Sequence, residues 1–173
     1  SIVLMDIPEK KEMLQDNCRA IAGRYQAETM YVTGNVADED HVNRMIGEAY
    51  EGMGRLDIVF ANAGVGGNDD NPVQIQLSEW KKVIDINLTG VFLVDRIAAN
   101  LMKKLGNGGS IINTASMSGH IINKGSRQDM SRHMTAYASA KAGVIQLTKS
   151  IAVSYAADGI RCNSISPGMV LSG

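Results

Sequence analysis

The 173-residue chain alternates between two hydrophobic periodicities. Short, nearly continuous apolar runs are typical of strands buried in a parallel sheet, whereas apolar residues that recur every three to four positions indicate one face of a helix. The runs predict strands at residues 1–6, 29–33, 56–60 and 110–114, and Gly159 leads into a last predicted strand at residues 160–165. The periodic stretches predict helices at residues 8–24, from 38 onward, at 78–105 and at 135–157.

Residues that favour helix ends agree with these limits. Pro8 falls in the first turn of its helix, and Gly23 lies near the end of it. Asp38 and Ser78 have side chains suited to cap helix N-termini, and the glycines between residues 106 and 109 end the longest helix. These residues support the predicted limits of the helices.

Strands that alternate with helices predict parallel strands joined by right-handed crossovers. The expected fold class is α/β: a doubly wound, Rossmann-like parallel sheet in a three-layer α/β/α arrangement, formed by a single domain over residues 1–173. The apolar run from Ile2 to Met5 is too continuous for a half-exposed strand. We therefore expect the first strand to be covered on both faces.

Composition and charge narrow the class of partner. With 45% hydrophobic residues and a formal net charge of −1, the chain can form a compact core but has no basic surplus for nucleic acid. It contains no apolar stretch of the ~18 to 20 residues that a membrane span needs, so we expect no membrane partner and a cytoplasmic location. Neither Cys18 and Cys162 nor the three histidines have metal-ligand spacing, so we expect buried, reduced cysteines and no metal.

Candidate binding residues follow the strands, because ligands of open α/β sheets bind beyond the carboxyl ends of the strands. Asp6 follows the first strand, where its carboxylate would accept hydrogen bonds from both hydroxyls of an adenosine ribose and repel a 2′-phosphate. That position favours NAD over NADP. On this residue alone, an aspartate that only shapes the turn before Pro8 explains the sequence equally well.

Small and polar residues also follow the second and third strands. Asn35 and Val36 come after the second strand, and Asn62, Ala63 and Gly64 come after the third. Small side chains would let the backbone approach a flat ring or a sugar closely. Because loops rich in asparagine and glycine are common, each of these segments is a weak signal by itself.

The helix after the fourth strand carries Tyr137 and Lys141, which are four residues apart and therefore lie on one helix face. This spacing arises easily by chance, but its place near Ser116, at the end of that strand, gives it weight. A phenol titrates near ~10 in water, and an ammonium group ~4 Å away supplies about 4 kcal/mol at an effective dielectric of ~20. One cation is thus enough to let a phenol exchange protons near neutral pH.

Together these residues resemble the short-chain dehydrogenase/reductase family over nearly the whole chain, from Asp6 to Ser172. The motifs that carry the resemblance are Asn62–Ala63–Gly64, Asn87 in Asn87–Leu88–Thr89–Gly90, Ser116, the pair Tyr137 and Lys141, and Pro167–Gly168 after the last strand. The resemblance implies hydride transfer between a nicotinamide cofactor, NAD rather than NADP, and a secondary alcohol or ketone. The segment 116–121 also resembles members that act on polyols or ketoses.

The resemblance implies roles for single residues. Tyr137 would be the acid/base, Ser116 would bond the substrate oxygen, and Asn87 would hold a relay water. Lys141 would bind the nicotinamide ribose and favour the phenolate. The other cofactor contacts would come from Asp6 at the adenosine ribose, Asn35 near the adenine, Val170 and Ser172 at the carboxamide, and Val36, Asn62, Ala63, Gly64, Pro167 and Gly168 elsewhere.

The sequence also departs from the family pattern. The Gly-rich phosphate loop and the C-terminal substrate segment are not in the chain, so we expect a fragment of a protein of roughly 250 residues, truncated at both ends. Asn35 stands where an aspartate is usual, and Ser172 where a threonine is usual. A polar stretch at residues 123–133 lengthens the loop before Tyr137. It would either influence substrate choice or be a solvated surface loop.

Two other functions fit parts of the sequence. One is a catalytically inactive nucleotide-binding regulatory module of the same fold. The other is a hydrolase that uses Ser116, although no histidine and aspartate stand in a recognisable arrangement with it. The helices at residues 78–105 and 135–157 carry apolar residues beyond one stripe, and the family commonly pairs such helices between subunits. We therefore expect a homodimer or homotetramer with a small-molecule alcohol or carbonyl substrate.

Overall fold

The computed structural model describes residues 1–67, 74–121 and 134–168. Its strands are β1 (Ile2–Asp6), β2 (Thr29–Thr33), β3 (Ile58–Ala61), β4 (Gly109–Thr114) and β5 (Ile160–Ile165). Its α-helices are α1 (Lys11–Tyr25), α2 (Glu39–Met53), α3 (Leu77–Ile84), α4 (Gly90–Leu105) and α5 (Thr135–Tyr155). Single 3-10 turns are formed by Pro8–Lys10, Met117–Gly119 and Ala156–Asp158. The predicted alternation of strands and helices is confirmed.

All strand pairs in the described residues are parallel, and they form two hydrogen-bonded groups. β1 pairs with β2, while β4 lies between β3 and β5. In the second group, Ile111 at the centre of β4 is in register with Val59 of β3 and Cys162 of β5. The predicted α/β class with parallel strands and flanking helices is confirmed, whereas the single continuous sheet is observed as these two groups.

One hydrophobic core joins the two groups of strands. It includes Val32 from β2 and Ile111 from β4, packed with Met45 of α2 and Met102 of α4. These side chains are at most 3% exposed, so they are fully removed from water. Within each group the parallel strands have their carboxyl ends at the same edge, so the loops that follow them are neighbours.

The prediction that the first strand is covered on both faces is wrong. Ile2 and Met5, on opposite faces of β1, are 42% and 40% exposed. Within the described residues β1 pairs along one edge only, with β2, and this leaves both side chains partly in solvent. The apolar run therefore predicted the strand correctly but not how much of it is buried.

Helix starts depend on the local backbone. Asp38 caps α2 as predicted, because its side chain accepts a hydrogen bond from the His41 amide at 3.0 Å. The prediction that Ser78 caps the next helix is wrong. The backbone is extended at Gln76, and the Trp80 amide donates to the Gln76 carbonyl, so Ser78 already lies inside the first turn.

Helix ends follow the glycine and left-handed positions. α1 continues through Gly23 to Tyr25, and Gln26 then adopts a left-handed conformation with φ of 50°. Gly106 ends α4 with φ of 69°, as predicted. Gly109 belongs to β4 rather than to the preceding turn. None of the helices in the described part of the chain is both long enough and apolar enough to cross a membrane.

The long helical region predicted at residues 78–105 is interrupted by a π-helical turn. α3 and α4 are joined by the π-helical segment Asp85–Thr89, which contains Asn87. Such turns insert one extra residue per turn and are frequent at functional sites. This turn rotates Asn87 into the protein interior, where the side chain is completely buried.

Candidate functional site

Lys141 is the central cation of the site at the carboxyl end of β4. Its ammonium nitrogen donates a hydrogen bond of 2.6 Å to the carbonyl oxygen of Thr114, the last residue of β4. The residue is only 2% exposed, and burial lowers the pKa of its ammonium group. α5 thus holds a positive charge with little water around it at the strand end where the sequence predicted chemistry.

Tyr137 lies one helical turn before Lys141, on the same face of α5. The lysine Nζ is 5.6 Å from the centre of the tyrosine ring, which is half-buried. The predicted proximity of the two side chains is confirmed. The ammonium group thus lies over the ring at the distance of a cation–π contact.

Ser116 begins the tight turn that follows β4. Its side-chain oxygen accepts a hydrogen bond of 3.2 Å from the Ser118 amide and so caps the 3-10 turn Met117–Gly119. The serine is half-buried. Because its oxygen already accepts from the backbone, its own O–H remains a donor for a ligand.

Gly119 brings this turn against α5, a feature that sequence reasoning missed. A Cβ atom on Gly119 would lie 2.8 Å from the carbonyl carbon of Lys141 and 2.9 Å from the amide nitrogen of Ala142. Only a residue without a side chain allows two backbones to come so close. The Ser-Gly pair in the turn was visible in the sequence, but the approach of the helix was not.

Asn87 ties the loop after β3 to the π-helical turn. Its amide nitrogen donates to the carbonyl oxygens of Val65 at 2.9 Å and Val83 at 3.0 Å, and its oxygen accepts from the Val65 amide at 3.1 Å. Both amide protons are therefore used by the backbone. That Asn87 holds a relay water stays a prediction, while its observed role is to hold the loop.

Gly64 marks the point where this loop meets the rest of the site. A Cβ atom on Gly64 would lie 2.6 Å from the side-chain oxygen of Asn87 and 3.7 Å from the Lys141 nitrogen. Asn62, Ala63 and Gly64 are exposed. The side chain of Asn62 accepts a hydrogen bond of 2.9 Å from the Thr114 hydroxyl. The structure thus brings the loop after β3 beside Lys141.

Asp6 and Asn35 lie at the ends of β1 and β2. One oxygen of Asp6 accepts a hydrogen bond of 2.7 Å from the Ile7 amide, which is the turn-forming role considered as the alternative. The side chain of Asn35 accepts from the Ala37 amide at 3.0 Å, so its oxygen also supports a turn. The two ends are adjacent, since the Gly34 amide donates to the Asp6 carbonyl at 2.9 Å.

The remaining predicted residues fall in two groups. Val36 packs against the start of α4, where a Cβ atom on Gly90 would lie 2.9 Å from a Val36 methyl carbon. Pro167 is linked to the Ser116 turn, because its carbonyl accepts from the Met117 amide at 3.0 Å. Val170, Ser172 and the stretch 123–133, with its basic residues Lys124, Arg127, Arg132 and His133, lie outside the described residues. Gly168 is the last residue described.

A second buried polar cluster lies behind β4 and was not predicted. The amide nitrogen of Asn113 donates to Asp95 of α4 at 2.8 Å and to the Thr148 hydroxyl of α5 at 3.0 Å, and lies 3.5 Å from the Cys162 sulfur. Burial raises the pKa of Asp95 to about 7, and burial together with that carboxyl raises the pKa of Cys162 to about 12. Cys162 and Cys18 are both free and buried, as predicted.

The sequence of the chain is similar to those of known proteins. A family model described as enoyl-(acyl carrier protein) reductase matches residues 1–173. The 2-(R)-hydroxypropyl-CoM dehydrogenase of Xanthobacter autotrophicus is 35% identical over 161 residues, which cover 92% of this chain and 61% of that protein.

Solved structures agree with the sequence comparison. The crystal structure of a short-chain type dehydrogenase/reductase from Mycobacterium marinum matches with a TM-score of 0.88 and 35% identity, over 97% of this chain and 64% of that one. The crystal structure of NAD⁺-bound xylitol dehydrogenase matches with a TM-score of 0.86 and 28% identity, over 99% of this chain and 62% of that one. The chain spans about three fifths of the length of these relatives. The chain belongs to the short-chain dehydrogenase/reductase family.

Proposed function

We propose that the protein containing this chain is an oxidoreductase that transfers hydride between a nicotinamide cofactor and a secondary alcohol or ketone, with Tyr137 as the acid/base. One observation carries the proposal. The ammonium group of Lys141 is buried beside the Tyr137 ring and fixed to the Thr114 carbonyl at the carboxyl end of β4. A buried, oriented cation next to a phenol is the arrangement that lets the phenol trade a proton with a bound alcohol.

The residues at this edge fit a nicotinamide cofactor. Gly64 leaves room that a side chain would fill, between Asn87 and Lys141. Lys141 has three N–H donors and spends one on Thr114, which leaves two for the hydroxyls of a ribose. When bound, the nicotinamide would accept or supply the hydride. The exposed backbone at Asn62 and Ala63 would lie along it.

The chain's own residues then handle the proton and the substrate oxygen. In alcohol oxidation, Tyr137 accepts the hydroxyl proton while the hydride leaves the carbon atom that bears this hydroxyl. Ser116 donates its O–H to that oxygen, while its own oxygen accepts from the Ser118 amide. Lys141 stabilises the phenolate before the proton moves. In ketone reduction the same groups act in reverse.

The cofactor we propose is NAD rather than NADP. Asp6 ends β1 beside the end of β2, and one of its oxygens bonds the Ile7 amide. The carboxylate would still repel the 2′-phosphate of NADP. The NAD⁺-bound xylitol dehydrogenase among the structural relatives supports this choice, and it also supports a polyol or ketose as the substrate class.

The whole protein is proposed to be longer than the chain and to work as a cytoplasmic homodimer or homotetramer. Within the described residues, β1 and β3 share a core but no hydrogen bonds, and Ile58 and Phe60 of β3 are more than half exposed. An additional parallel strand between them would pair with both, and the phosphate-binding loop and helix after it would cover these side chains. The coverage of about three fifths of each relative supports the same proposal.

The test is the Tyr137→Phe variant of the full-length protein, assayed with NAD and a panel of secondary alcohols and polyols. Removing the phenolic oxygen eliminates proton transfer, so kcat should fall by about 10²- to 10⁴-fold while the unfolding midpoint stays unchanged. Tyr155→Phe is the matched control: it removes a phenol from the same helix, where the oxygen bonds only Asn100 among the interactions described. If Tyr137→Phe retains activity similar to the control, the proposed mechanism is wrong.

A further inference from the structure

Three hydrogen bonds connect the turn that carries Ser116 to the end of β5 and the segment after it. Two are made by the backbone: the Ala115 amide donates to the Ile165 carbonyl at 2.8 Å, and the Met117 amide donates to the Pro167 carbonyl at 3.0 Å. The third joins two side chains, since Nε2 of His120 lies 3.0 Å from the Ser166 hydroxyl. The turn is therefore fixed at both of its ends to the same neighbouring segment.

We propose that His120 is a positioning residue, which holds the far end of the Ser116 turn to the segment after β5 through Ser166. This inference rests on the proposed function, because Ser116 would face the substrate oxygen and the segment at Pro167 and Gly168 would lie along the cofactor. The bond would keep the two halves of the reaction site at a constant distance from each other. No role in catalysis or in binding a ligand is needed for His120 itself.

Exposure separates this role from ordinary core packing. His120 and Ser166 are both exposed, so neither contributes much buried apolar surface. The turn contacts α5 at Gly119, where the two backbones lie close together. Beyond that contact, the described bonds of the His120 backbone are its amide to Met117 and none to the β5 segment. Among the described hydrogen bonds, the imidazole of His120 is therefore what joins this end of the turn to Ser166.

The chemistry of the pair predicts no effect on the pH profile. A serine hydroxyl both donates and accepts, so it can bond a neutral or a protonated imidazole ring. A residue that transfers protons would introduce an inflection that disappears on substitution. For His120 we expect the pH profile of kcat to keep its shape when the side chain is removed.

The experiment is a double-mutant cycle in the full-length enzyme with His120→Ala, Ser166→Ala and the double variant. Each single substitution should lower kcat by about three- to tenfold, as expected for one exposed hydrogen bond, while the KM of the alcohol changes less than twofold. The double variant should be no slower than the slower single variant, because the two residues act through one bond. His120→Gln should recover most of the activity, since its amide reaches the position of Nε2.

Several results would overturn the inference. They are additive losses in the double variant, no recovery in His120→Gln, or a changed pH profile. Failure of the proposed function is distinguishable, because the wild-type protein would then not turn over with any alcohol. In that case hydrogen exchange of the Met117 and Gly119 amides decides. Faster exchange in His120→Ala than in His120→Gln supports the positioning role of His120, and equal exchange refutes it.

Discussion

Two buried ionisable side chains approach consecutive residues of β4, and their surroundings give them opposite consequences. Lys141 of α5 donates to the carbonyl of Thr114, whereas Asp95 of α4 accepts from the side chain of Asn113. Both are at most 2% exposed, and burial disfavours the charged form of each. One lies at the end of the strand beside an open loop, and the other lies behind the sheet.

The two groups differ in what their remaining polar atoms can contact. Lys141 keeps two N–H donors beside Tyr137 and the loop at Gly64, where a ligand can use them. Asp95 has one oxygen on the Asn113 amide, and its other oxygen, like that of Asn113, has no hydrogen-bond partner in the described structure. A buried charge at the strand end can therefore serve chemistry, while the same burial behind the strand only lowers stability.

The largest effect should follow removal of the cation in Lys141→Met, which keeps a side chain of similar length. At 5.6 Å, the distance from the Lys141 nitrogen to the centre of the Tyr137 ring, a cation attracts a phenolate by about 3 kcal/mol at an effective dielectric of ~20, so its loss should lower kcat/KM by about 150-fold. The free energy of unfolding should stay within about 2 kcal/mol of wild type, because losing the bond to Thr114 and no longer burying a charge act in opposite directions.

The control for this variant is Lys149→Met, which removes an exposed lysine from the same helix. Steady-state kinetics and urea unfolding of both variants separate chemistry from stability. A loss of less than tenfold in kcat/KM for Lys141→Met would mean that the buried cation does not drive proton transfer. The proposed difference between the two sides of β4 would then be wrong.

The second effect is a pH dependence of stability that originates at Asp95. Burial raises the pKa of this carboxyl to about 7 from its ordinary value of 3.8. The folded state thus binds the proton more tightly than the unfolded state does, and stability is lost as pH rises between these two values. Each pH unit in that range costs about 1.4 kcal/mol, and the loss levels off above pH ~7.

Asp95→Asn should remove this dependence, because its amide is neutral and supplies a donor beside oxygens that lack one. The stability difference between variant and wild type should therefore grow by about 3 kcal/mol from pH 5 to pH 8, measured by urea unfolding. Asp57→Asn is the opposing control, since a hydrogen bond from Arg55 lowers the pKa of that exposed carboxyl. A pH-independent difference for Asp95→Asn would show that the carboxyl is already ionised at pH 5.

The contrast between the two sides of β4 also explains what the sequence could predict. Strand limits such as residues 160–165 were predicted correctly, because apolar and polar residues alternate from Ile160 to Asn163 after a glycine. The sequence predicted that Tyr137 and Lys141 share a helix face because they are four residues apart, and it predicted Ser116 from its place after β4. Asp95 could not be predicted, since a single acid within an apolar helix is typical of the solvent face, and its burial depends on packing against Asn113, 18 residues away.

The smallest of these effects should come from Gly119→Ala, which tests how closely the Ser116 turn must approach α5 at Lys141. The added methyl would lie 2.8 Å from the Lys141 carbonyl carbon, and helix backbone cannot yield as a flexible side chain can. The turn should therefore move away from α5 by a fraction of an ångström to about 1 Å, and kcat/KM should fall by about tenfold to 10²-fold. The free energy of unfolding should fall by about 1 to 2 kcal/mol.

Gly23→Ala is the control, because nothing described lies within 4 Å of the added atom and alanine favours the α1 helix. Wild-type activity in Gly119→Ala would show that Ser116 tolerates displacement, and that the buried cation acts without a fixed partner across the turn.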